Sequence, residues 1–338
     1  MSSPLNHPFA VIGQYAGDMA RLESELRAGL DRFWQAAAAI LDGGTIRLVP
    51  PDQATFSLAR NFFSTLFLYS YYRIGIPAER RILYAAINQC LRGMVTGCDN
   101  LLDDEYKTTL ETDLPPQAHR FRSVLDIMVA DRVLFALLAE YCRVHDLPVE
   151  RALRASAASL RALTESGAQE AAEEGGIDER LPPEIVLANI HHFKTGVLFQ
   201  STWAVPALFE EAITPEALAV QEALYRIGIG CQMLDDIVDL FVDVRERRHN
   251  YVASMIVHRE PAAMWEDLQR RLTTEETPAG LYAAWPDLAA RMRTEALATL
   301  SNGLGNLFLD RHQLLVRPAA AFIAGRIGVE IDEDEQTL

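Results

Sequence analysis

RIGIGCQMLDDIVDLFVD, residues 226–243, decides how the rest of the chain is read. At helical spacing it separates into two unlike faces. Ile227, Cys231, Leu234, Val238 and Phe241 recur at steps of three or four and form an apolar stripe. Gly228, Gln232, Asp235, Asp239 and Asp243 follow the same steps of three or four on another face. Asp235 and Asp239 stand one turn apart, so their carboxylates point the same way, with Asp236 beside them. Acids grouped in this way on a helix within apolar sequence require compensating positive charge.

An earlier stretch repeats the arrangement. GCDNLLDDEY, residues 97–106, again sets Asp99 and Asp103 one turn apart, with Asp104 and Glu105 adjacent. Either cluster alone could be a solvated helix face or a set of charges at a helix start. Two of them, each leading out of an apolar helix, read as the two halves of one site.

Composition narrows the class. The chain has 338 residues, of which 49% are hydrophobic, ample for a substantial core. Its net charge of −16 argues against a nucleic-acid binder. An acidic protein that handles an anionic ligand needs metal ions as intermediaries. Cys90, Cys98, Cys142 and Cys231 include no CxxC pair, so neither a zinc knuckle nor a disulfide framework is expected, and a reducing cytoplasm fits. The start, MSSPLNHPFAVIGQY, lacks the basic region and apolar core of a secretory signal. No run approaches the roughly 18 apolar residues of a membrane span.

The patterning predicts an all-α bundle of ten or more helices. Helices are expected over 14–42, 57–72, 78–105, 121–144 and 149–163, then through IHHFKTGVLFQSTW and over 217–244. Further helices should fall within 262–316, with a short last one over 317–328. Residues 164–183, polar and acidic with Gly175-Gly176 and Pro182-Pro183, read as a helix end and a mobile connection. Strand-type alternation is scarce and no repeat of solenoid length is present. The expected organisation is one domain over 1–328 and an acidic tail over 329–338.

Carboxylates at positions i and i+4 of a helix can hold hard divalent cations. Magnesium in particular is shared between one or two carboxylates and substrate phosphate oxygens. Two such faces suit a Mg2+ cluster gripping a diphosphate and neutralising charge on a leaving group.

On these residues the chain resembles the trans-isoprenyl diphosphate synthase branch of the class I isoprenoid synthases. That family carries two DDxxD motifs on facing helices. Here the first appears as DNLLD, Asp99 to Asp103, with Asn100 in place of the second acid; the second is complete as DDIVD, Asp235 to Asp239. Gln232 precedes it as in the family, and the family's Lys-Thr pair appears as Lys194-Thr195 in HHFKTG. A Gly-x-Gln patch corresponds to Gly167-Ala168-Gln169. The likeness spans residues 80 to 250.

The resemblance implies helices around a central cavity, a homodimer, and about three Mg2+ ions as cofactor. It implies that Asp99, Asp103, Asp104, Asp235, Asp236 and Asp239 hold the metals, with Asp99, Asp103, Asp235, Lys194 and Gln232 acting in catalysis. Lys194, Thr195 and Gln232 would meet an allylic prenyl diphosphate. Arg226 is a further candidate contact; the lysine expected after the second motif is missing, and Arg245, Arg247 and Arg248 lie nearby instead, Arg245 and Arg248 as candidate substrate contacts. Met94 and Val95, about a turn before Asp99, occupy the product-length gate, where core packing explains them equally well. The substrate list would extend to isopentenyl diphosphate.

The departures matter as much. The Arg-Arg-Gly that follows the first motif in chain-elongating members aligns with Thr108-Thr109-Leu110. The basic segment that anchors isopentenyl diphosphate aligns with FFSTLFLYSYYRIG, whose one cation is Arg73, with Arg80 and Arg81 further on. Ionisation of one allylic diphosphate is untouched by these losses, whereas addition of isopentenyl units is weakened. Prenyl transfer stands first. A terpene cyclase or a squalene/phytoene synthase-like enzyme on the same fold is the nearest alternative, and a catalytically silent subunit or prenyl-lipid binding protein is the other.

Gly228-Ile229-Gly230 lacks the spacing and preceding strand of a nucleotide loop, so its glycines are expected to allow close helix packing. His191 shares a helix face with Lys194 and reads either as a phosphate donor or as a core histidine.

Overall fold

The helical periods of the sequence become helices in the computed structural model, which describes residues 15–102, 106–210, 213–274 and 280–329. Asp103, Asp104 and Glu105, and the tail from 330 onward, lie outside the described residues. The all-α expectation holds: more than ten helices carry the chain. Extended pairing among the described residues is limited to an isolated antiparallel bridge between Leu48 and Thr112. No helix among them is long and apolar enough to cross a membrane. By contacts the chain divides into two units.

The N-terminal unit comprises residues 15–163 with 201–217. Its main helices are α1 (Ala16–Leu41), α2 (Phe62–Arg73), α3 (Ala78–Leu102), α4 (His119–Val144) and the first part of α5 (Val149–Glu173). A 3-10 turn over Ser201–Trp203, a short α8 (Pro206–Phe209) and the start of α9 (Pro215–Val238) complete it. Leu68, Leu83, Leu134 and Leu138 are fully buried in its core, each contributing about 1.5–3 kcal/mol by leaving water. α3 is packed tightly on both sides. A Cβ at Gly97 would sit 2.8 Å from the Ser123 carbonyl of α4, and one at Gly29 of α1 would sit 2.6 Å from Ala85. Small residues at these positions let the backbones approach to where any side chain would collide.

The C-terminal unit comprises residues 164–200 and 218–329 among those described. α5 runs ten residues beyond the expected end, because the Ala, Gln and Glu of TESGAQEAAE favour helix enough to carry Gly167. It stops before Gly176, whose φ of +74° suits glycine. The connection that follows, expected to be mobile, is tied down. Ile177 N–H donates to the Arg247 carbonyl at 2.7 Å, and the Arg247 guanidinium returns two bonds to the Ile177 carbonyl.

Next come α6 (Pro183–Ile185), a π-helical segment over Val186–Val197 and α7 (Leu198–Gln200). After α9 the chain forms α10 (Leu240–Arg245), α11 (Tyr251–Arg259), α12 (Ala262–Thr274), α13 (Leu281–Ala284), α14 (Pro286–Leu307) and α15 (Val316–Ile327). The helix expected over 217–244 is thus two, with Asp239 at the junction (φ −93°, ψ 5°). α11 falls where no helix was expected and is started by Asn250, whose side chain accepts the Ala253 N–H. Within the apolar stripe Ile227, Cys231, Leu234 and Phe241 are buried, but Val238 is exposed; Ile237 and Leu240, flanking the junction, are buried instead.

Candidate functional site

Two elements of the C-terminal unit meet through glycine. A Cβ on Gly228 of α9 would lie 2.6 Å from the Thr195 carbonyl of the π segment, and one on Gly196 would lie 2.4 Å from the Tyr225 ring of α9. Gly230 makes the equivalent approach to the backbone of Leu300 in α14. The glycines therefore serve close packing, as expected. Their closeness brings the Lys-Thr pair beside the acidic face of α9.

Lys194 is half-buried and pairs with Glu170 of α5 at 3.5 Å. One turn away on α5, Ser166 donates to the Lys194 carbonyl, so the patch around Gly167-Ala168-Gln169 borders Lys194. Burial opposes the ammonium charge, but Glu170, Asp236, Asp243 and Asp235 outweigh it and push the pKa above the ordinary lysine value. Gln232 is buried and divides one amide nitrogen between Asp235 Oδ2 (3.2 Å) and Asp236 Oδ1 (3.0 Å).

The acids of the second motif differ sharply among themselves. Asp235 and Asp239 are half-buried. Asp236, next in sequence, is 1% exposed and bonded to protein donors. Its Oδ2 accepts from His191 Nε2 at 2.9 Å and from the Tyr251 backbone N–H. Asn250, wholly buried, donates to the Asp236 carbonyl and to Asp243 Oδ2, both at 2.8 Å.

The electrostatics follow from this division. Burial and the charges of Asp239 and Asp236 raise the Asp235 carboxyl to about 6. Burial and Asp236 raise Asp243 to about 7. For Asp236 burial opposes ionisation too, yet His191, Gln232 and the Tyr251 N–H hold its pKa below the usual carboxylate value. Burial and neighbouring acids thus disfavour the charged forms of Asp235 and Asp243, a penalty that a hard cation beside them would offset. No group of three carboxylate, imidazole or thiolate residues forms a ready cage among the described residues. A metal here would complete its shell with waters and substrate oxygens.

In the N-terminal unit Asp99 is half-buried near the end of α3 and Asp103 and Asp104 lie outside the described residues. Asn100, the departure from the family motif, has a clear task. Its buried amide donates to the Lys107 carbonyl (3.0 Å) and accepts the Lys107 N–H (2.8 Å). A carboxylate could make only the second of these bonds. Met94 is buried and Val95 half-buried on α3.

The segment aligned with Arg-Arg-Gly is anchored as well. Thr109 donates to Asp126 of α4 at 2.6 Å and Leu110 is 2% exposed. Burial raises Asp126 to about 6, and its Oδ1 is buried with no partner. Arg80 is paired with Glu210 at 3.0 Å and Arg81 is clasped by Glu25 inside the unit.

The candidate arginines of the C-terminal unit spread outward. Arg226 is exposed and bonded to Glu222 and Asn302, nine residues or about 13 Å along α9 from Asp235. Arg245 is exposed, Arg248 pairs with Glu246 at 3.0 Å, and Arg247 holds Ile177 and Asp178. Asp243, Asn250 and Glu170 were missed as site residues. Asp243 was legible as the next step of four after Asp239; Asn250 and Glu170 join the site only through tertiary contact.

No protein-family model matches the chain, and no curated protein matches it. Solved structures do. The chain is similar to geranylgeranyl pyrophosphate synthetase from Pyrococcus horikoshii Ot3, with 16% identity over 92% of this chain and 98% of that one and a TM-score of 0.58. A decaprenyl diphosphate synthase from Rhodobacter capsulatus matches with 17% identity over 96% and 99% of the two chains, TM-score 0.55. A polyprenyl synthase from Caulobacter crescentus CB15, solved with calcium and isoprenyl diphosphate, matches with 14% identity over 96% and 99%, TM-score 0.56. Carried over nearly the whole length of each chain, the likeness gives this protein the all-α fold of these prenyl diphosphate synthases.

Proposed function

We propose that the chain is a Mg2+-dependent prenyltransferase that ionises an allylic prenyl diphosphate and forms a carbon–carbon bond. The observation that carries the reading is the pair of carboxyls Asp235 and Asp243, both raised by burial and acidic neighbours, beside Lys194 and Gln232. Magnesium, when bound, supplies the charge that stabilises the departing diphosphate.

The chain's own groups bind and orient. Asp235 and Asp239 are the metal-binding carboxylates of this unit, and Asp99 and Asp103 are kept in that role on the sequence resemblance. Lys194, held charged, meets a phosphate oxygen. The substrate C1–O bond breaks with its electron pair leaving on the diphosphate. The allylic cation is then attacked by the double bond of an acceptor, and a proton leaves the adjacent carbon.

A second reading is favoured by one group of observations. Thr109, Leu110, Arg80 and Arg81 are committed to Asp126, the core, Glu210 and Glu25. A reaction that does not use isopentenyl diphosphate, cyclisation or coupling of two prenyl chains, fits that commitment. One experiment decides. Dimethylallyl, geranyl, farnesyl and geranylgeranyl diphosphates are incubated with Mg2+, with and without isopentenyl diphosphate, following diphosphate release and extracted lipids. A longer prenyl diphosphate formed only with isopentenyl diphosphate establishes elongation, and hydrocarbon or alcohol without it establishes the second reading. Asp235→Ala and Asp99→Ala should each abolish release with helicity unchanged. No release by the native chain with any substrate would defeat both readings.

The working unit is proposed to be a homodimer. α4 exposes Phe121, Met128 and Phe135, at 52%, 58% and 37%, spaced seven apart. Two copies of α4 packed antiparallel about Met128 would set Phe121 of each against Phe135 of the other, so the stripe complements itself.

A further inference from the structure

We propose that Asp236 is not a metal ligand but a positioning residue, and that it works by fixing His191 and with it the segment that carries Lys194. The inference rests on the reading of Asp235 and Asp239 as the metal-binding pair.

A carboxylate that binds Mg2+ must present oxygen lone pairs to a hydrated ion. Asp236 is 1% exposed, and both oxygens already accept from protein. Oδ1 takes Gln232 Nε2; Oδ2 takes His191 Nε2 and the N–H of Tyr251. The last donor is the first residue of α11, so the carboxylate also meets the positive end of that helix. These donors come from the π segment, from α9 and from the start of α11. Asp235 lies about 100° further round α9 and is half-buried. Adjacent acids of one motif therefore divide the work: one serves the ligand, the other serves the protein.

His191 makes the consequence specific. Its ring is 1% exposed, and its other nitrogen, Nδ1, is buried without a partner. Since Asp236 accepts, Nε2 carries the proton, and that bond sets the ring. Lys194 follows three residues later on the same π segment, while Gln232 links Asp236 to Asp235. Asp236 thus fixes the distance between the ammonium and the metal-binding carboxylate.

The test uses Mn2+ as a paramagnetic stand-in, counted by electron paramagnetic resonance in the presence of inorganic diphosphate, on the full chain. Asp235→Asn should weaken Mn2+ binding at least tenfold. Asp236→Asn should bind the native number of ions while kcat falls tenfold or more. His191→Ala should behave like Asp236→Asn. His191→Gln, which can return an N–H near the place of Nε2, should recover most of the turnover.

Loss of an ion from Asp236→Asn, matching Asp235→Asn, would overturn the inference. Equal defects in His191→Ala and His191→Gln would also overturn it, and this pair decides the matter should Asp236→Asn fail to fold. A native chain that binds no Mn2+ with diphosphate would overturn the reading of the whole site, an outcome separate from either of these.

Discussion

Gly228→Ala tests whether close packing sets the site. The new Cβ would lie 2.6 Å from the Thr195 carbonyl oxygen and 3.1 Å from both the Thr195 carbonyl carbon and Phe199 Cγ. Real Cβ atoms essentially never come within 3.0 Å of another group, so the π segment must retreat from α9 by at least 3.0 − 2.6 = 0.4 Å. Backbone cannot rotate aside as a side chain can. Lys194 adjoins Thr195 and would retreat with it. Overpacking of this kind costs about 1–3 kcal/mol, or a melting temperature lower by about 1–4 °C in a chain of this size. A displacement approaching 1 Å at a positioning group costs up to about 100-fold in rate, so turnover should fall about tenfold.

Gly230→Ala is the control. Its Cβ would meet Leu300 N at 2.7 Å and Leu300 Cα at 2.8 Å, overpacking α9 against α14 and not against the π segment. Both variants should melt earlier, but only Gly228→Ala should lose turnover per folded molecule, measured as diphosphate release below the melting transition. Native turnover and stability in Gly228→Ala would refute the reasoning. Equal loss of turnover in the two variants would show that activity follows stability alone.

Asp126 should make stability depend on pH. Its folded value of about 6 lies above the ordinary aspartate value of 3.8. The folded state therefore holds the extra proton more tightly, and the stability this contributes is present below about pH 4 and lost as pH rises through 6. The gap sets a ceiling of about 3 kcal/mol; Asp126→Asn should recover about 1 kcal/mol at pH 7.5 and flatten melting temperature against pH between 4 and 6.5, and an unchanged slope would exclude Asp126 as its source. For the dimer, Met128→Lys would place two ammonium groups at the symmetry axis, and sedimentation should show monomers; an intact dimer would locate the interface elsewhere.

Much of the fold was legible because most helices announce themselves by an uninterrupted apolar period. α1, α3, α4 and α15 begin and end within about two residues of expectation where the structure describes them. Misreadings cluster where local signals conflict with tertiary ones. The acidic, glycine-containing TESGAQEAAE looked like a breaker, yet it extends α5 and brings Glu170 to Lys194 and Glu173 to the His249 N–H. α11 escaped notice because its start depends on one asparagine.

In the site, spacing revealed that acids share a face but not which of them the protein itself would occupy. Asp236 and Asp235 are indistinguishable as letters; His191, 45 residues earlier, separates them. Asn100 looked like a lost acid and proves to hold a loop that only an amide can hold on both sides.

The π segment over Val186–Val197 has a consequence for how this chain can vary. A π turn holds more residues than an α turn, so its register depends on the number of residues between its ends. Removing one residue ahead of Lys194 would turn everything beyond it by somewhat less than the roughly 100° of an α-helix, still enough to point the ammonium away from α9. Substitutions along this stretch are a matter of chemistry, but its length is a matter of phase. An insertion or deletion here would detune the site even if every side chain in it were kept.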